Sequence, residues 1–280
     1  MKETELNNGV KIPTVGIGVF TFTPEEAEKS VEAALKDGYR LVDTANAYVN
    51  ERGTGRGMKA SGVKREDIFL STKLWPSEYE NENAIDETME RLGVDYIDLL
   101  FLHQPAGNWK AGYKMLEKAY KEGKIKAIGI SNFEGKYLDE LLSECEVVPQ
   151  VMQVECHPYF TQKETRAITD PKGIKIMCWY PLGHGDKALI EESIFAELAE
   201  KYGKTPAQII LRWHNQMGFI TIPGSRNPEH IHENANIFDF ELTDEEMAKI
   251  AELDRGVRYY NGGEKELAGY AAWQPTYEKA

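Results

Sequence analysis

Arg40-Leu-Val-Asp-Thr-Ala-Asn-Ala-Tyr48 is the stretch whose reading decides the fold. Leu41 and Val42 read as the buried end of a β-strand, which the chain leaves through a carboxylate, Asp43, and a phenol, Tyr48. Taken alone, Asp43 serves equally well as a turn cap and Tyr48 as packing on the next helix. Recurrence decides against that reading. Apolar or β-branched runs stand at 15–20, 40–43, 68–73, 97–103, 127–131, 151–155, 174–179 and 219–223, with helical patterns between them. Strict alternation means parallel strands, and runs apolar on both faces mean a sheet covered by helices. Eight such units in 280 residues predict an α/β fold of the (β/α)8 TIM-barrel type rather than an open sheet.

Working outward, Leu6-Asn-Asn-Gly-Val-Lys-Ile-Pro13 places Asn-Gly between apolar positions and predicts an N-terminal β-hairpin. Thr23-Pro-Glu-Glu26 opens the first helix with a cap, a first-turn proline and acids at its positive end. Two helical stretches, 191–202 and 206–217, lie between the seventh and eighth strands, so one is an insertion. An extra helix at 243–253 and a polar, aromatic tail expected over the active-site face complete one domain spanning 1–280.

The composition is 41% hydrophobic, enough for a large core, and the net charge of −13 excludes nucleic acid and anionic membrane surface as partners. An anionic ligand then needs a local positive site. The start of the chain has no signal-peptide core and no apolar run approaches a membrane span, so a cytoplasmic monomer acting on a small molecule is expected. Cys145, Cys156 and Cys178 have no metal-like spacing and read as reduced thiols, and no metal site is expected.

Barrel active sites form at the C-terminal ends of the strands. Those ends read Asp43, Lys73, His103, Ser131-Asn132, Gln153 to Glu155, Trp179 and Ser225-Arg226. So many polar groups are costly to bury apart, and they predict one shared polar cavity. A lysine cation beside Tyr48 favours the phenolate, an aspartate keeps that lysine charged, and a neutral histidine can hydrogen-bond a carbonyl oxygen. Asp43, Tyr48, Lys73 and His103 thus suit proton transfer to a carbonyl as hydride reaches its carbon.

Asp43-Thr-Ala-Asn-Ala-Tyr48, Thr72-Lys-Leu-Trp75, Asp98-Leu-Leu-Phe-Leu-His103, Gly129-Ile-Ser-Asn-Phe133, Gln153-Val-Glu-Cys-His-Pro158 and Trp179-Tyr-Pro-Leu-Gly183 resemble, in order, the motifs of the aldo-keto reductases. Among these the chain is similar to the prokaryotic diketogluconate type. The resemblance implies carbonyl reduction with NADPH or NADH on a barrel lacking a Rossmann unit. It implies Tyr48 as general acid, Lys73 and Asp43 lowering its pKa, and His103 orienting the carbonyl. It implies Ser131, Asn132 and Gln153 on the nicotinamide carboxamide and Trp179 on the ring, with Leu182 and Gly183 in the same coenzyme site. At the eighth strand, Pro223-Gly-Ser-Arg-Asn-Pro228 makes an anion site before a helix, and the resemblance assigns Ser225, Arg226, His230, Glu233 and Asn234 to the adenosine end. The chain departs there from NADPH-selective relatives, which carry lysine and arginine where Gly224 and His230 stand. Losing both charges weakens the grip on a 2′-phosphate, so relaxed coenzyme selectivity is expected, with Arg226 compensating in part.

Phe20, Trp75 and Trp109 are expected to wall the substrate pocket for aldehydes or ketones, sugar-derived or α-dicarbonyl, and the short 104–112 loop suggests an open site. Gly53-Thr-Gly-Arg-Gly57 lacks the setting of a dinucleotide loop and is expected as a flexible entry to the second helix. Two rivals remain: a coenzyme-binding regulatory barrel with little turnover, and a Schiff-base lyase working through Lys73.

Overall fold

The computed structural model describes residues 1–185 and 187–278. β1 (Glu3–Glu5) and β2 (Lys11–Pro13) form the antiparallel hairpin, and Gly9 takes the turn at φ 85°. The barrel strands are β3 (Ile17–Gly18), β4 (Leu41–Asp43), β5 (Phe69–Leu74), β6 (Leu99–Leu102), β7 (Ile128–Ser131), β8 (Val151–Glu155), β9 (Lys175–Trp179) and β10 (Ile220–Thr221). Each pairs in parallel with the next in sequence. A parallel bridge from Val15 to Thr221 closes the ring, and the Gly16 N–H donates to the Thr221 carbonyl at 2.8 Å. All eight segments read from the sequence therefore hold a strand of the closed barrel.

The helices are α1 (Pro24–Lys36), α2 (Glu51–Ala60), α3 (Ala84–Leu92), α4 (Trp109–Lys121), α5 (Lys136–Glu144), α6 (Lys163–Thr169), α7 (Lys187–Ile190), α8 (Ser193–Tyr202), α9 (Pro206–Gln216), α10 (Pro228–Ala235), α11 (Asp244–Ala251) and α12 (Glu264–Ala272). The expected cap of α1 is a full capping box, with Thr23 and Glu26 each accepting from the other's backbone N–H. No described helix is long and apolar enough to cross a membrane.

The glycines at 53, 55 and 57 differ from expectation: they lie inside α2 instead of loosening its entry. A Cβ at Gly53 would sit 2.0 Å from the Pro24 carbonyl oxygen, and one at Gly55 would sit 2.2 Å from that of Leu92. The missing side chains let the backbones of α1 and α3 close on both flanks of α2. That close packing outweighs the poor helix propensity of glycine.

Side chains alternate across a strand, so every second residue points into the barrel. Leu41, Phe69, Leu99, Phe101, Val151, Met177, Ile220 and Ile222 form an apolar cluster with Leu6 and Ile12 of the hairpin. The hairpin thus closes one end of the barrel. One or two steps of two residues onward, the same parity brings up Asp43, Ser71, Lys73, His103, Gln153 and Trp179. The change from apolar to polar along the inward rows is what puts a reactive surface at the other end.

Candidate active site

Lys73 is fully buried on β5, and its Nζ donates to Asp43 Oδ2 at 2.6 Å and to the Thr44 carbonyl at 2.8 Å. Asp43 Oδ1 accepts from Ser71 Oγ at 2.7 Å and Gln153 Nε2 at 3.0 Å. Every polar atom of the ion pair thereby has a partner, which a buried pair requires. Ser71 and Thr44 were not singled out in the sequence; the inward parity of Ser71 with Lys73 was the available signal.

Tyr48 sits on the turn after β4, and its ring centroid lies 5.0 Å from Lys73 Nζ and 5.6 Å from the His103 ring. Trp75 meets His103 edge-on at 5.0 Å. The His103 imidazole is held well below its ordinary pKa by burial and then by the Lys73 charge, so it is neutral. Its Nδ1 is buried without a hydrogen-bond partner among the described residues. The expected lowering of the Tyr48 pKa is not what the geometry produces. Burial, and then the Asp43 charge, push the phenol well above its ordinary value, while the Lys73 cation is satisfied by Asp43. Burial also lowers the Lys73 ammonium, against the opposing pull of Asp43. The tyrosine is therefore kept as a protonated donor.

A cavity of about 760 Å³ opens above this group. Tyr48, His103, Trp75, Phe20, Ser131, Asn132, Gln153, Trp179 and Leu182 line it, and it runs on to Gly224 and Arg226. Asn132, at φ 63°, turns its amide so that Oδ1 accepts from Trp179 Nε1 at 3.2 Å. The cavity offers an aromatic face with amides beside it, a lining suited to a nicotinamide ring and its carboxamide. The Nε2 of Gln153 is committed to Asp43 and the Met177 sulfur, so its amide oxygen is the atom it offers a ligand.

Three expectations are corrected here. Trp109 does not wall the cavity: the preceding loop is so short that α4 begins at Trp109 itself, and its ring packs edge-on against Phe133 at 5.5 Å. Gly183 does not line the cavity either; at φ 77° it turns the loop, and a Cβ there would press on Leu189 at 2.9 Å. The site is also not left open by its short loop, because the C-terminal tail brings Tyr259, Tyr260, Tyr270 and Trp273 over it. Trp75 Nε1 donates to the carbonyls of Tyr270 and Trp273 at 3.2 and 3.1 Å.

At the far end, Ser225 Oγ accepts from the N–H of Asn227, the cap of α10, and His230, Glu233 and Asn234 lie on α10 outside the cavity lining. Arg226 is not free. Its Nε is 2.8 Å from Glu26 Oε1, its Nη2 donates to the Thr21 carbonyl at 2.7 Å, and it stacks 4.2 Å above Phe22. A Cβ at Gly224 would come within 2.8 Å of the Gly18 carbonyl oxygen, so no side chain enters there without a backbone shift. Elsewhere, the fold brings Cys156, Cys178 and His214 within 4.8 Å of one another, a proximity their spacing does not reveal. His214 Nδ1 lies 2.8 Å from the Ile210 carbonyl oxygen and its Nε2 3.1 Å from that of Cys156.

The family model described as "Aldo/keto reductase family" matches residues 14–255. A glyoxal reductase of Bacillus subtilis strain 168 is 46% identical over 264 residues, covering 92% of this chain and 95% of that protein. A morphine 6-dehydrogenase of Pseudomonas putida is 44% identical over 270 residues, covering 90% and 91%. The crystal structure of an aldo-keto reductase from Bombyx mori in complex with NADP superposes with a TM-score of 0.87 at 31% identity, covering 93% of this chain and 95% of that one.

Proposed function

This chain belongs to the aldo/keto reductase family, and on that premise we propose how its residues divide the work of reducing a carbonyl with NADPH or NADH. It is an NAD(P)H-dependent oxidoreductase that converts aldehyde or ketone carbonyls to alcohols. The coenzyme, when bound, supplies the hydride. Tyr48 donates the proton to the carbonyl oxygen, and neutral His103 holds that oxygen by a ring N–H. Lys73 and Asp43 place a fixed, neutral-sum ion pair beneath the phenol, so the proton leaves against a field that moves little. The observation that carries this reading is the Lys73–Asp43 pair at 2.6 Å, with Tyr48 and His103 converging above it on one cavity.

Trp179 offers the face for the nicotinamide ring, with Ser131, Asn132 and the Gln153 oxygen for its carboxamide. Ser225, Arg226, His230, Glu233 and Asn234 receive the adenosine end. Arg226 shares its charge with Glu26, and neither Gly224 nor His230 adds a permanent charge. Both favour a protein that accepts NADH as well as NADPH. The relatives' names span a two-carbon dicarbonyl and an alkaloid, so similarity alone does not choose the substrate. The tail's roof over the cavity favours small α-dicarbonyls and flat aromatic aldehydes.

Against a lyase, the Lys73 Nζ is bonded to Asp43 and Thr44 beneath Tyr48 and does not line the cavity. Against a purely regulatory barrel stands the complete catalytic group. The test is coenzyme oxidation with phenylglyoxal, NADPH against NADH, for the native chain and Tyr48→Phe. Tyr48→Phe is expected to lower kcat by about 10²–10⁴. Tight coenzyme binding without turnover in the native chain would reinstate the regulatory reading, and an NADPH preference above about a hundredfold would remove relaxed selectivity.

A further inference from the structure

Glu155 is the last residue of β8, fully buried, and it is not part of the cavity lining. A buried carboxylate is costly unless several donors compensate it, and this one lies outside the catalytic group. Two of its partners come from the C-terminal tail and a third from the loop after β8. Tyr259 N–H reaches Oε1 at 2.6 Å and Tyr260 N–H reaches Oε2 at 2.8 Å, while His157 Nε2 lies 2.9 Å from Oε1. Consecutive backbone N–H groups gripping the two oxygens of one carboxylate form an anion nest. Burial by itself would raise this carboxyl, but the His157 and backbone hydrogen bonds outweigh it and hold it below its ordinary range.

The neighbouring contacts carry the tail on to the cavity. Arg258, just before the nest, forks onto Glu134 at 2.7 and 2.9 Å. Within the nest, Tyr260 turns its hydroxyl to Gln104 Oε1 at 3.0 Å and its ring edge-on to Trp179 at 5.6 Å. Further on, Tyr270 and Trp273 lie against Trp75 at 5.4 and 5.0 Å. These later contacts are neutral, whereas the grip of Glu155 is charge-assisted and wholly desolvated.

We propose that Glu155 is a positioning residue for substrate selection: through the Tyr259 and Tyr260 N–H groups it fixes the C-terminal tail as the roof of the cavity, and so sets the affinity for bulky aromatic carbonyls. The proposal rests on the reductase reading above. Glu155 touches no reacting atom, and its effect falls on KM for substrates that reach the roof rather than on coenzyme binding.

The experiment compares Glu155→Gln, a backbone ester at Tyr260 made by incorporating the α-hydroxy-acid analogue of tyrosine, and the two combined, in the full chain. Glu155→Gln replaces one acceptor oxygen by a donor, and the ester removes the Tyr260 N–H while keeping the phenol that lines the cavity. Readouts are kcat and KM for phenylglyoxal and for methylglyoxal, the coenzyme dissociation constant by tryptophan quenching, and amide exchange across 257–273. Losing a charge-assisted hydrogen bond predicts a rise of about tenfold or more in the phenylglyoxal KM for each single variant. The methylglyoxal KM and the coenzyme constant should stay within about threefold, exchange protection of the tail should fall, and the double variant should add little to either single. Equal losses for both substrates, weakened coenzyme binding with the tail still protected, or additive effects would overturn it. If Glu155→Gln does not fold, an unchanged phenylglyoxal KM in the Tyr260 ester variant overturns it alone. Failure of the reductase reading is told apart by the native chain oxidising no coenzyme with either substrate, while tail exchange still reports the grip.

Discussion

Replacing Asp43 by asparagine removes the charge that allows Lys73 to be ionised inside the barrel. Asp43 is 2% exposed and Lys73 0%, with 2.6 Å between Oδ2 and Nζ. Asparagine keeps the shape and an acceptor for Ser71 but leaves an ammonium whose remaining bond is to the Thr44 carbonyl. Breaking a buried pair from one side costs about 3–5 kcal/mol. Unfolding entropy near 2.1 cal/mol/K per residue amounts to about 0.6 kcal/mol/K for 280 residues, so Tm should fall by about 5–8 °C. Lys73→Met should cost a similar amount by stranding the carboxylate. The double variant Asp43→Asn, Lys73→Met strands neither charge and should be more stable than either single, since an uncharged replacement of a buried pair is often close to neutral. The assay is the four-member cycle of thermal melts, run beside coenzyme-oxidation rates. Stability should return in the double variant and activity should not, because the Tyr48 proton then leaves without the pair beneath it. A cost below about 1 kcal/mol for Asp43→Asn, or losses that add within about 0.5 kcal/mol, would refute the argument from burial.

The pH dependence follows from the two shifts above. The Tyr48 phenol is raised, so its donor form persists as pH rises through the ordinary value, and the His103 imidazole is lowered, so its neutral form persists as pH falls through its own. Profiles of kcat/KM for reduction should be flat between about pH 6.5 and 10, and a limb inside that window would contradict the assignment. Glu26→Gln releases Arg226 for a coenzyme phosphate and should shift the NADPH-to-NADH ratio of kcat/KM toward NADPH by about two- to fivefold, a modest change because both side chains are largely solvated; an unchanged ratio would show that Arg226 does not meet the 2′-phosphate. Gly55→Ala forces a methyl to within 2.2 Å of the Leu92 carbonyl oxygen and should destabilise the fold by about 1–3 kcal/mol despite alanine's better helix propensity, so a stabilised variant in urea melts would contradict the packing of α2.

The catalytic group was legible because its positions obey a local rule. Asp43, Lys73 and His103 end apolar runs, and alternation carries them inward wherever the run is a barrel strand. Trp109 was misplaced because loop length decides whether an aromatic after a strand faces the cavity or starts the next helix, and here the helix begins on it. The glycines of α2 read as flexibility because a glycine's signal is the same whether it frees the backbone or admits a neighbour.

By itself the sequence determined the barrel, its hairpin and the residues gathered at its reactive end, since periods of two and 3.6 residues and strand-end chemistry are local properties. Only the tertiary structure decided the protonation of Tyr48, the commitment of the Gln153 amide to Asp43, the engagement of Arg226 with Glu26 and the grip of Glu155 on the tail. Those depend on desolvation and on partners about 100 to 200 residues away, and pair chemistry at that distance leaves no periodic trace in the chain.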